Sequence, residues 1–188
     1  HQKTSIMHTC RNITRLVAGT LLSAVLFISP ALAQTPSPKL SDPEIASVAV
    51  TANKIDVGYG QIALKQSKSA DIRKFAKTMI EDHTNIINQA VALAGKLGVT
   101  PKDNALTDKL LEGSKKTTSV LKSKHGKAFD KAYIDNEVAY HEAVISAVTN
   151  ILVPQTQNAQ LKALLIKVSP ILKEHLDHAK MIQASYQK

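Results

Sequence analysis

Histidine is a poor core residue, because a buried imidazole costs free energy unless its ring nitrogens find partners. In this chain of 188 residues, His83 (in EDHTNII), His141 (in NEVAYHEAVI) and His175 (in LKEHLDHAK) nevertheless fall on the apolar stripes of three different predicted helices. Asp56 falls beside the stripe of a fourth, and Glu137 stands one helical turn before His141. Imidazole and carboxylate donated by separate rigid helices suit zinc, iron, copper or nickel. Three imidazoles and one carboxylate fill a tetrahedral site, and fewer direct ligands leave a position open to water. The residues expected to hold a transition metal ion are therefore His83, His141, His175, Asp56 and Glu137, with Asp82 and His178 at the edge. The competing reading is a buried His/Asp hydrogen-bond cluster that fixes helix register and binds no metal.

Four long helices must position these groups. Ser41-x-x-Glu44, with Pro43 in the first turn, opens the first, whose stripe runs Ile45, Val48, Ala52, Ile55, Tyr59 and Ile62. The second runs from Ser69 to Gly98, a natural position just past a helix end, through Ile72, Phe75, Met79, His83, Ile86, Ala90, Leu93 and Leu97. The third runs from about Lys127 to Val153, with Pro154 as its stop, and carries Ile134, Val138, His141, Ile145, Val148 and Leu152. The fourth runs from about Thr156 to Tyr186 through Leu161, Leu164, Val168, Leu172, His175, Ala179 and Ile182, with Pro170 expected to kink it. Residues 98–126 are less regular: Thr100-Pro101-Lys102-Asp103 signals a start, and one shorter, weaker helix is expected around Leu106, Leu110, Leu111, Val120 and Leu121.

Short loops make each hairpin antiparallel, and the long connector can carry the chain back along the bundle. The expected fold is all-α, a ferritin-like four-helix bundle with a helical crossover connector between the second and third long helices. In that arrangement Asp56, His83, His141 and His175 lie within about four residues of one level, roughly 6 Å along the axes. An up-down-up-down bundle would also bring them close.

Composition supports helices. Hydrophobic residues make up 44% of the chain but aromatic residues only 4%, with no Trp, so the core is expected to be built mainly from Ala, Leu, Ile and Val. Apart from Lys3, Arg11 and Arg15 in the expected signal segment, the chain has 21 basic and 15 acidic residues, and this net of +6 can favour anionic partners such as an envelope surface, or simply reflect solvated surface lysines. The lysines are dispersed and aromatics for base stacking are scarce, so no nucleic-acid partner is expected. No phosphate loop, Cys/His pair or serine elbow occurs.

The N-terminal segment reads as an export signal. Arg11 and Arg15 precede the apolar run Leu16–Ile28, followed by Pro30 and Ala31-Leu32-Ala33. The expected organisation is a signal peptide over 1–33, a linker over 34–41 and a helical domain over 42–188, with no transmembrane segment after cleavage and a periplasmic or otherwise exported location. Cys10 is the one cysteine, so no disulfide forms within the chain.

Several segments together resemble a known family. They are Asp56…Gly60-x-x-Ala63, Phe75-Ala76-x-x-Met79-Ile80-x-Asp82-His83-Thr84, Phe129-Asp130-x-x-Tyr133, Val138-x-x-His141 and Pro170-x-Leu172-x-x-His175-Leu176. The pattern is similar to a bacterial family of exported proteins with a domain of unknown function, assigned to the ferritin-like superfamily and often carrying an outer-membrane-protein label. The resemblance spans about residues 42–186. It implies a four-helix core and an envelope location, with no agreed activity. Family members commonly have Glu where this chain has Asp56. A helical chain without aromatic girdles is a poor outer-membrane barrel.

Glu-x-x-His occurs nowhere in the chain, whereas di-iron carboxylate centres use two such motifs. No catalytic residue is assigned, and an oxidase ranks last. The leading expectation is a metal-handling or stress-protective protein of the envelope; the alternative is a non-catalytic envelope interaction or stress protein whose buried histidines are structural.

Overall fold

The computed structural model describes residues 39–187. The expected signal peptide and nearly all of the linker lie outside the described residues. Helix α1 spans Asp42–Gln66, α2 Ala70–Leu97, α3 Ala105–Lys122 and α4 Gly126–Ala147. A π-helical turn, Val148–Leu152, and the short α5, Val153–Gln155, extend α4 before α6, Ala159–Ser185. Among the described residues there is no strand, and the fold is an all-α bundle.

The sequence signals act locally as their chemistry requires. The Glu44 carboxylate accepts from the Ser41 N–H at 2.9 Å and from its hydroxyl at 2.6 Å. Gly98 closes α2 at φ 62°, where a side chain would be strained. The connector departs from expectation. It forms one continuous helix of 18 residues through Gly113, and its start is set by Asn104, whose Oδ1 accepts from Leu106 N and Thr107 N. Pro154 does not end the third long helix. Val153 N–H reaches back to Val148 O, the longer span of a π turn, and the chain continues to Gln155. Pro170 lies inside α6, and the carbonyl its missing N–H cannot reach belongs to the exposed Ile166.

Contacts at the two ends fix the topology. At one end the Ser67 hydroxyl, between α1 and α2, donates to Asp130 near the start of α4 at 2.6 Å. There too the Tyr186 hydroxyl meets Ser69 Oγ at 3.2 Å, joining the end of α6 to the start of α2. At the other end Asp42 accepts from Gln157 N and Asn158 N, both at 2.8 Å. Helix α3 bridges the two: Asn104 donates to Glu44 O at its start, and Gln66 donates to Leu121 O at its end. Helix α3 therefore returns the chain, and α2 and α4 run in the same direction, as the crossover topology requires.

Two apolar clusters fill the interior. One, around Phe75, Met79, Phe129, Tyr133 and Ile134, lies toward the Ser67 end; the other, around Ile45, Val48, Leu152, Leu161 and Leu165, lies toward the Asp42 end. The polar residues of interest sit between them. Helices α1 and α2 approach closely at Gly60, where an added Cβ would lie 2.9 Å from Ile80 Cγ1 and 3.1 Å from Ala76 O.

Candidate metal centre

Four helices deliver the side chains to one level. Helix α1 brings Asn53 and Asp56, α2 brings Asp82 and His83, α4 brings Glu137, Tyr140 and His141, and α6 brings His175. All five predicted site residues are buried, from Glu137 at 0% exposure to His175 at 4%. The three imidazole rings form a triangle, with centroids 5.6 Å (His83–His141), 5.1 Å (His83–His175) and 5.4 Å (His141–His175) apart. One ring nitrogen from each lies within 4.8 Å of the others, and the same spacing holds for ligand atoms of Asp56, Glu137 and His141. The two groups share His141, and Asp56 joins them: its Oδ2 is 3.2 Å from His83 Nε2 and 3.5 Å from His141 Nε2.

Each histidine is oriented by one nitrogen. His83 Nδ1 bonds Asn53 Oδ1 at 2.6 Å, His141 Nδ1 bonds the Glu137 carbonyl at 2.9 Å, and His175 Nε2 bonds Asp82 Oδ2 at 2.9 Å. All three partners are acceptors, so each of these nitrogens carries the ring proton in the neutral tautomer. The other nitrogen, His83 Nε2, His141 Nε2 or His175 Nδ1, is then a bare lone pair. None of the three has a hydrogen-bond partner.

Burial sets the charge of the group. Desolvation lowers His83 to about 2, helped by the neighbouring His175 and His141, and lowers His141 to about 4 against its bond to Glu137 O. Burial also lowers His175, with Asp82 opposing. All three are neutral at pH 7, the form that ligates metal. The carboxyls move the other way: burial raises Asp56 to about 7, with Glu137 opposing, while burial and the Asp56 charge raise Glu137 well above the usual range. Both carboxyl groups lack hydrogen bonds of good geometry although each influences the other's titration. Tyr133 adds a buried hydroxyl that faces the Glu137 carboxyl, whereas the Tyr140 hydroxyl donates to Ala52 O at 2.9 Å.

This donor set fits a transition metal ion. Imidazoles held by an outer hydrogen bond, each with a free nitrogen, are how proteins usually present histidine to a metal. Asn53 was not foreseen from the sequence, although it stands one helical turn before Asp56 on the same face. Asp82 joins as the outer partner of His175. The other two histidines among the described residues stay outside: His178 packs edge-on to Phe75 with ring centroids 5.2 Å apart, and His125 is the exposed residue before α4.

The fold is similar to that of a solved structure described as "CopM in the Cu(II)-bound form". The TM-score is 0.60 at 11% identity, covering 79% of this chain and 99% of that one. At that identity the likeness concerns the fold alone. No curated protein matches the chain. The family model described as "Domain of unknown function (DUF4142)" matches residues 28–182, most of the chain, and the protein belongs to that family.

Proposed function

We propose that the protein is an exported metal-handling protein that binds a transition metal ion, copper in the first instance, in the core of its bundle. His83, His141 and His175 supply the nitrogen ligands; Asp56 and Glu137 supply carboxylate oxygen and balancing negative charge. The observation that carries this reading is the set of three bare ring nitrogens on three helices, each ring oriented from outside. Imidazole suits Cu, Zn and Fe alike. The fold neighbour's Cu(II)-bound form favours copper.

Energetics favour this reading over a purely structural cluster. Without a metal, the three ring nitrogens remain buried without hydrogen bonds, while the Asp56 and Glu137 carboxyl groups face each other and Glu137 faces Tyr133. Each such nitrogen costs about 1–3 kcal/mol. A cluster serving only to fix register would be expected to satisfy its own members.

Export rests on the N-terminal signal pattern, and no described helix is long and apolar enough to cross a membrane. The bound ion would contribute charge neutralisation and cross-linking of four helices, while the chain's own residues select neutral imidazoles and release carboxyl protons. Titrating the metal-free protein with Cu(II), Zn(II) and Fe(II) tests the reading. One ion per chain is expected, lost in the His83→Ala, His141→Ala and His175→Ala variants. Substoichiometric binding unaffected by those substitutions contradicts it and leaves the histidines structural.

A further inference from the structure

Toward the Asp42 end, the bundle holds a cavity of about 440 Å³. Packed interiors seldom hold voids much larger than a water molecule, whereas small-molecule sites begin near ~300 Å³. Ala49, Ala90, Leu93, Ala94, Val144 and Leu165 form much of its wall. On α2 the helical stripe persists through Ala90, Leu93 and Leu97, yet these residues are only half-buried, unlike Ile72, Phe75 and Met79 higher on the same helix. The apolar stripe continues, but no protein side chain fills the space before it.

The polar groups on the wall are unequal. Asp42 is engaged by the backbone N–H groups of Gln157 and Asn158. Lys109, on α3, is exposed and makes no salt bridge among the described residues. At the inner end, Asn53, Tyr140 and Leu172 also line the small pocket at His83 and His141.

We propose that this cavity binds a single-chain anionic amphiphile, its hydrocarbon tail inside and its acidic head at Lys109. The inference does not rest on the metal reading. Size selects the occupant. An apolar cavity of about 150 Å³ holds one benzene, so 440 Å³ corresponds to about 18 carbon atoms, one acyl chain. A docked helix of even ten residues, about 10 Å across and 15 Å long, occupies roughly 1,200 Å³ and does not fit. The unpaired ammonium favours a carboxylate or phosphate head over a neutral one.

Equilibrium dialysis of the purified protein against labelled palmitate and hexadecanol tests the proposal. Saturable binding of one palmitate per chain is expected, about tenfold tighter than hexadecanol. Gly113 lies on the cavity wall, and a Cβ added there meets nothing within 4 Å. Gly113→Leu should fill space without strain, weaken palmitate binding by roughly tenfold and leave the melting temperature unchanged or higher. Ala94→Phe should weaken binding likewise, and Lys109→Glu should abolish the preference for palmitate over the alcohol. No saturable binding, equal affinity for acid and alcohol, or wild-type binding by both blocking variants would overturn the proposal.

Discussion

His83 and His141 turn their Nε2 atoms to the same oxygen, Asp56 Oδ2, at 3.2 and 3.5 Å. Neither contact has hydrogen-bond geometry, and the oxygen is without a partner. Two bare nitrogens and an oxygen held this close, with His175 completing the triangle, form a donor set that an ion would satisfy and the protein alone does not.

The outer partners should matter nearly as much as the ligands. Asn53→Ala frees His83 and Asp82→Ala frees His175, so each should lower metal affinity about 10–100-fold. Competition titration against a chelator of known affinity measures this. Wild-type affinity in both variants would mean the rings need no outer support.

Metal binding should be coupled to protons. Asp56 is raised to about 7 by burial, so a cation that binds its ionised form displaces a proton below that pH. Affinity should rise as pH increases from 5 toward 7, and calorimetry in buffers of different ionisation enthalpy should register proton release. A flat profile would place Asp56 outside the coordination chemistry.

The metal-free protein carries the opposing signatures of these groups. His83 falls from 6.5 to about 2, so the native state binds fewer protons than the unfolded chain across that window. Its contribution is full above pH 6.5 and is lost as pH falls. Asp56 rises from 3.8 to about 7, so its native state binds more protons, and stability declines as pH rises through that window. Asp56→Asn removes the second effect. Relative to wild type, the variant should gain at least about 1 kcal/mol between pH 4 and pH 7, because a tenfold change in proton affinity is worth about 1.4 kcal/mol. Urea unfolding at several pH values measures the difference; parallel curves would contradict a raised Asp56 carboxyl.

Close packing of α1 on α2 gives a prediction away from the site. Gly60→Ala places a methyl group 2.9 Å from Ile80 Cγ1 and 3.1 Å from Ala76 O, so the Ile80 side chain must shift and the α2 backbone must give way slightly. A loss of about 1–3 kcal/mol in chemical denaturation is expected, as for other overpacked cores. Gly58→Ala meets nothing within 4 Å and should be stabilising by about 0.5–1 kcal/mol, the ordinary helix-propensity gain, which makes it the unstrained comparison.

Much of this arrangement was legible in the sequence because helical period and capping are local. Ser41, Ser69 and Gly98 bound their helices where their chemistry predicts, and the spacing of His83, His141 and His175 placed them on the seams. Less local features were hidden. Helix α3 buries only Thr107 and Leu121 fully, so its apolar pattern is weak and its continuity through Gly113 depends on packing against α1. The role of Asn53 depends on the distance between α1 and α2, which no spacing within one helix records. The half-open lower stripe of α2 keeps the same apolar period as its sealed upper half; burial differs because the elements opposite leave space there.

The most direct test of the metal centre is an anomalous difference map from crystals of the Cu(II)-loaded protein. A single peak about 2.0–2.1 Å from His83 Nε2, His141 Nε2 and His175 Nδ1 is the predicted result, from ordinary metal–imidazole bond lengths. A fully loaded crystal with no peak among these nitrogens, or with its peak at His125 or His178, would contradict it.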